Sequence, residues 1–173
     1  MADMLVKLYT LPELTTPLTQ LRTAGIDIRR AMPTEKHTIT TWVRHHFSET
    51  WAVESEVALE QRPSTCFIAV EQTRPTPQPA HSYDLQPEIL VGFACYDVVS
   101  RGMFGPTGVQ PDHRGRKIGA ALLLATLHAM AAERYAYAII GWVGPVDFYA
   151  KTVGATLIPD SEPGIYRGPL RGM

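Results

Sequence analysis

Cysteine is scarce in this chain, with two, Cys66 and Cys95, among 173 residues. Both lie in apolar β-type runs and match no metal-ligand spacing. That excludes a disulfide framework and a thiolate metal site, and it suits the reduced, buried thiols of a cytoplasmic protein. The six histidines, His45 and His46 included, show no HExxH or comparable spacing, so no metal is expected. Excess charge of either sign is also lacking. A net charge of −1 cannot supply the broad basic face that nucleic-acid binding requires. No membrane span, signal peptide or lipidation motif is present, so neither insertion nor anchoring is expected. Two phosphate-binding fingerprints are missing as well: GxxxxGK[ST] and GxGxxG occur nowhere.

What the chain does hold is apolar surface. At 45% hydrophobic over 173 residues it can bury the core of one compact domain. The informative stretch runs from Val109 to Glu133. A β-type run, GMFGPTGV, reaches a proline, then the basic cluster RGRKIGA (Arg114 to Ala120), then a long apolar helical pattern through Ile118, Leu122, Leu123, Leu124, Leu127 and Met130. The first N–H groups of a helix have no internal partner, and its dipole places partial positive charge at the same end. A strand, a basic glycine-containing loop and a helix start therefore form a natural seat for phosphate. Because the basic charge is local, a small anionic ligand fits better than a polymer.

The other segments read as an alternation of strands and helices. Leu5 to Tyr9 suits a strand and Leu14 to Arg22 a short amphipathic helix ended by Gly25. Ile26 to Met32 alternates as a half-buried strand. Ile39, Trp42, Val43, His46 and Phe47 recur at helical spacing with Thr34 as the expected cap, and a second helix from Trp51 to Arg62 stops at Pro63. Trp42, Phe47 and Trp51 read as core residues. Thr65 to Glu71 and Ile89 to Val99 are neighbouring strands, joined by a four-proline connection expected to be a mobile hairpin loop. Met103 to Val109 carries Pro106 and two glycines, which forbid a regular ladder and point to a bulge or a close approach by another molecule. Tyr135 to Val143 is a near-continuous apolar strand, as in a sheet covered on both faces. A last short strand is expected within Pro163 to Leu170.

Two motifs in this order of elements carry a resemblance. The loop from Arg114 to Gly119 resembles the acyl-CoA-binding motif [QR]xxGx[GA] of the GNAT superfamily of N-acyltransferases, following a strand that ends V-x-P. Arg114 fills the first position and Gly119 the last, while Lys117 replaces the first glycine and is expected to lie already in the helical turn. Phe148, Tyr149 and Gly154 resemble the superfamily pattern FYxxxGF, with Ala155 for the final aromatic and one additional residue before the glycine. The likeness spans roughly residues 26 to 170. It implies an α/β fold of GNAT type: a single domain, residues 26–173, with a mixed, strongly twisted sheet flanked by helices, preceded by an extension of residues 1–25. That extension could cover a sheet edge or the partner face of a homodimer.

The implied activity is acetyl-CoA-dependent acetylation of a primary amine on a small-molecule or peptide acceptor. The pyrophosphate would rest on the amides of Arg114, Gly115, Arg116, Lys117, Ile118, Gly119 and Ala120, with arginine forks adding charge. The pantetheine arm would pair with the backbone at Val109 and Gln110, and an N–H near Gly108 or Val109 would polarise the thioester carbonyl. Phe148 is expected beside the cofactor, and Tyr149 is the expected hydrogen-bond donor to the departing thiolate. The superfamily commonly places a glutamate on the strand before the loop, where this chain has Gly105, Pro106 and Thr107. The base is therefore expected elsewhere, first at Asp97 through a water and second at His46. Two rival readings remain: a non-catalytic acyl-CoA sensor on the same fold, and a nucleotide-binding domain with an atypical phosphate loop.

Overall fold

A computed structural model describes residues 1–72 and 88–165. Seven strands form one sheet in the order β2-β3-β4-β5-β6-β1-β7. In chain order these are β1 (Met4–Lys7), β2 (Ile26–Arg30), β3 (Cys66–Gln72), β4 (Glu88–Tyr96), β5 (Met103–Val109), β6 (Tyr137–Ile140) and β7 (Thr156–Leu157). The helices are α1 (Thr15–Thr23), α2 (Lys36–His46), α3 (Glu49–Glu60), α4 (Ile118–Ala132) and α5 (Val146–Val153). Every strand pair is antiparallel except β5 with β6, which flank α4 and run parallel. The sheet is therefore mixed, as the fold class requires.

Each face of the sheet carries its own core. On one face α4 packs with α1 and α5 around Ile118, Leu122, Leu123, Leu127, Met130 and Tyr149. On the other, α2 and α3 bury Ile39, Val43, Ala52, Ala58 and Leu59 against Cys66, Ile68, Phe93 and Cys95. α4 is apolar around most of its circumference because it sits at the centre of the first core, and each fully buried leucine there contributes roughly 1.5–3 kcal/mol. The cysteines stand directly opposite one another across β3 and β4, both buried and free.

The first residues of the chain are part of the sheet. β1 pairs with β6 on one side and β7 on the other, so the segment expected as an extension fills an interior position. Other boundaries also differ from the sequence reading. Thr34 is not the cap of α2: it lies in a 3-10 turn (Pro33–Glu35), and Glu35 holds the Met32 N–H at 2.7 Å instead. Ser48 caps α3, accepting from the Trp51 N–H at 3.2 Å. β6 is only four residues long and ends at Ile140, where the chain turns toward α5. The proline-rich connection falls on residues 73–87 and the expected last strand largely on 166–173, both outside the described residues.

Candidate functional site

The loop between β5 and α4 is built to present backbone donors. The first main-chain bond of the helix runs from Ala121 N–H to Lys117 C=O at 3.1 Å. Among the described residues, none of the six N–H groups from Gly115 to Ala120 donates to a backbone carbonyl. Gly115 has φ 77° and Lys117 φ 64°, so two left-handed residues curl the loop back and aim consecutive amides into one concavity. Lys117 therefore does not lie in the helical turn. It occupies a conformation that a glycine would adopt without strain, at a cost of roughly 1 kcal/mol. The physical reason is the abrupt entry into α4, whose first residue, Ile118, is buried.

The two arginines are not equivalent. Arg114 is exposed and donates through Nε to the Val109 carbonyl at 3.2 Å, with no carboxylate paired to it among the described residues. Arg116 is bonded to Glu71 of β3 at 2.9 Å, and the same carboxylate meets His113 Nε2 at 3.1 Å. His113 and then Arg116 hold the Glu71 carboxyl below its ordinary range, so it remains ionised through neutral pH. Arg114→Ala is expected to weaken CoA binding about 10-fold, and the loss should shrink when a phosphate-free pantetheine replaces CoA. Equal losses for both ligands in calorimetric titration would show that no phosphate lies there. Glu71→Gln should instead tighten CoA binding severalfold by releasing Arg116. Neither Glu71 nor His113 belongs to a sequence motif, so only their placement beside the loop exposes them.

β5 supplies the rest of the donor side. β6 is paired to it only at Met103 and Phe104, so beyond Phe104 the two parallel strands part. Gln110 N–H bonds to Val91 C=O at 2.9 Å. By the alternation of an antiparallel ladder, Gly108 faces β4 as well, while Thr107 and Val109 turn their N–H groups to the open edge. Gln110 is thus unavailable to an incoming chain, and Val109, with Thr107, offers the free amides. A β-carbon on Gly119 would stand 3.6 Å from Val109 Cγ2 and 4.0 Å from Phe148 Cζ. This brings Val109, Gly119 and Phe148 together at the mouth of the opening. Gly119→Val should therefore lower CoA affinity without moving the melting temperature, and an unchanged affinity would sink the assignment of this loop.

Tyr149 is buried on α5, its ring 6.3 Å from that of Phe104 and 5.0 Å from that of Phe148. It thus lies near the point where β5 and β6 separate. Burial raises its pKa to about 12, and no hydrogen bond contributes. Asp97 is placed elsewhere. β4 ends at Tyr96, short of the expected Val99, and Asp97 sits in the following turn at φ 57°. One carboxylate oxygen accepts from Gly102 N–H at 2.7 Å and the other from the Tyr135 hydroxyl at 2.6 Å. Its own N–H reaches Met103, at the end of β5 remote from Gly108, roughly 17 Å along the strand. The structure does not bring Asp97 together with Gly108 and Val109; it makes the carboxylate the anchor of the β4–β5 turn.

On the face of β5 opposite α4 lies an aromatic group absent from the expected site. Phe47 packs so closely over Gly108 that a β-carbon there would fall 2.4 Å from its ring. Trp42, Trp51 and Phe93 surround it at ring distances of 5.6, 5.4 and 5.6 Å. His46 leans on Trp42 at 4.8 Å, at the edge of the same cluster. Trp42, Phe47 and Trp51 are packing residues, as their helical spacing implied, and they also close one side of the opening. Among the described residues no three or more His, Cys, Asp or Glu side chains gather in metal-binding geometry, and no helix is long and apolar enough to cross a membrane.

A family model described as the acetyltransferase (GNAT) family matches residues 36–154. No curated protein matches the chain. Among solved structures, the chain is similar to a GCN5-related glucosamine N-acetyltransferase region of a fungal multi-domain β-N-acetylglucosaminidase, with TM-score 0.67, 13% identity and 91% of this chain covered. It is also similar to a GCN5-related N-acetyltransferase from Sphaerobacter thermophilus (TM-score 0.62, 18% identity, 91% covered) and to a Drosophila protein (TM-score 0.57, 13% identity, 91% covered). The match spans 19%, 48% and 47% of those three chains, respectively. At such identities the likeness establishes the shared fold.

Proposed function

The chain belongs to the acetyltransferase (GNAT) family, and from that premise we propose that it transfers the acetyl group of acetyl-CoA to a primary amine of a small molecule or peptide. The observation that carries this reading is the run of six N–H groups from Gly115 to Ala120 without backbone acceptors among the described residues, set directly after a strand whose neighbour departs. Phosphate oxygens satisfy those donors, with Arg114 adding charge from outside the loop. The pantetheine arm then runs back along β5 as an added strand, taking the edge amides of Val109 and Thr107. One of these amides holds the thioester oxygen as it gains charge.

The amine attacks the thioester carbon, a C–N bond forms, the C–S bond breaks as the sulfur accepts the electron pair, and one nitrogen proton passes to the sulfur, leaving a neutral amide and a free thiol. Tyr149 donates a hydrogen bond to that sulfur. Calorimetric titration with acetyl-CoA, CoA and ATP, followed by thiol release across a panel of amines, tests the reading. Binding of acetyl-CoA and CoA with turnover supports it. Tight binding with no turnover supports the sensor module instead, a reading favoured by the absence of any carboxylate among Gly105, Pro106 and Thr107. Preference for ATP would overturn both.

A further inference from the structure

The strand that feeds the phosphate loop carries no carboxylate, and Asp97 is bound into a turn, yet one acid on a neighbouring helix fits the role. α3 packs on β3, β4 and β5, with Ala52, Ser55 and Ala58 turned to the sheet. Glu54 and Glu56 lie about 160° apart around its axis, one on each flank of the buried stripe. The Glu56 flank faces α2, because Lys36 of that helix reaches Glu56 at 3.5 Å and Glu60 at 2.6 Å. The Glu54 flank consequently faces away from α2, toward β5 and the opening beside it.

Its height along the sheet is set by two further contacts. One turn earlier, Trp51 stacks on Phe47, which covers Gly108. At the level of Glu54 itself, its neighbour Ser55 is buried against the sheet, and Glu54 is the last of the causes, after burial, Cys66 and Ser55, that act on the raised pKa of the Cys95 thiol of β4. Across β5, Cys95 stands opposite the irregular step at Gly105 and Pro106, between the pairs Ala94 with Thr107 and Tyr96 with Phe104. Unlike the other glutamates of α3, Glu49, Glu56 and Glu60, and unlike Glu35 just before α2, Glu54 has neither ion pair nor hydrogen bond among the described residues.

We propose that Glu54 is the general base of the transfer, holding the carboxylate that this chain lacks on β5. The inference rests on the acetyltransferase reading above. The acceptor ammonium gives one proton to a Glu54 oxygen, directly or through a water. The freed nitrogen lone pair attacks the thioester carbon, the C–S electron pair leaves on sulfur, held by the Tyr149 O–H, and the second nitrogen proton passes to that sulfur, leaving a neutral amide and a free thiol. Half-burial without a partner raises the Glu54 pKa, which brings a carboxylate closer to the strength a base needs near neutral pH. The other titratable groups on the packed elements are accounted for. Cys66 and Cys95 are buried thiols; Lys36 and Arg44 of α2 are paired with Glu60 and Glu49; His45 and His46 end α2, His46 against Trp42 at the edge of the aromatic cluster.

The test compares Glu54→Gln with the wild type in thiol release, using alkylamines of pKa about 10 and arylamines of pKa about 5 as acceptors. Acetyl-CoA affinity, read by calorimetry, should be unchanged. With alkylamines at pH 7 the turnover of Glu54→Gln should fall about 10²-fold, and the deficit should shrink as pH rises toward the amine's own pKa. With arylamines, which arrive neutral, the deficit should nearly vanish. The acid limb of kcat/KM, where activity is lost as pH falls through the raised carboxyl pKa, should be present in the wild type and absent from the variant. Asp97→Asn should retain that limb. Equal deficits for both amine classes, or transfer of the pH signature to Asp97→Asn, would overturn the proposal. A wild-type protein that binds acetyl-CoA but turns over no amine overturns the acetyltransferase reading together with it.

Discussion

Tyr149→Phe is expected to lower kcat about 10²-fold, or about 2.7 kcal/mol, while leaving acetyl-CoA affinity nearly unchanged. The interaction with sulfur grows only as the C–S bond breaks, so its loss appears in turnover and not in binding. Burial places the phenol at a pKa of about 12, against about 8.5 for a thiol. Full proton transfer would be uphill by about 5 kcal/mol, so the hydroxyl acts as a fixed hydrogen-bond donor to a thiolate and keeps its proton. The sign follows. The protonated phenol is the working form, and its contribution persists through neutral pH and fails only as pH climbs through the folded value near 12. Donors with more acidic leaving thiols need less help and should show a smaller deficit. Because no hydrogen bond among the described residues holds the hydroxyl, the phenylalanine leaves no group unsatisfied and the melting temperature should hardly move. A fall in thermal stability with unchanged kcat would make Tyr149 a packing residue.

The parts of this fold that were legible in the sequence are those governed by local pattern. The glycine-containing basic loop before a uniformly apolar helix marked the β5–α4 junction, the apolar run from Tyr135 to Val143 implied a sheet covered on both faces, and the resemblance implied that the sheet is mixed. Pairing across distance was not legible. Met4–Lys7 has the composition of any short strand, and nothing in it reveals a place between β6 and β7. Asp97 looked like the end of a strand because Val98 and Val99 continue the apolar run, but the turn reverses at Asp97 to let Gly102 and Tyr135 bind its carboxylate. Lys117 looked helical because lysine is poor at positive φ. Its left-handed backbone is imposed by the way Ile118 must enter the core. Glu71 shows the same limit from the other side: a glutamate at a strand end has no signature, and its importance lies in which two loop side chains it meets.

Gly108→Val should destabilise the fold, and Phe47 should be the reason. Any β-carbon at position 108 would lie 2.4 and 2.6 Å from Phe47 Cζ and Cε1, closer than carbon atoms can approach. The ring cannot simply yield, because Trp42, Trp51 and Phe93 press on it. Either β5 bows away from α3 or Phe47 is expelled into solvent. Overpacking of this kind costs about 1–3 kcal/mol and sometimes more, which for a domain of this size lowers the melting temperature by roughly 2–12 °C. Activity should fall further than stability explains, since bowing β5 displaces the Thr107 and Val109 amides from the open edge. The cause is isolated by a double-mutant cycle. Phe47→Ala alone should destabilise by leaving a cavity, about 3 kcal/mol or more, yet in the Gly108→Val background it should cost far less, because the new methyls occupy part of the space that the ring gives up. The coupling should exceed 1 kcal/mol. Strict additivity of the two changes in chemical denaturation would mean that Phe47 does not seat on Gly108 in solution, and the wall it forms beside the opening would have to be redrawn.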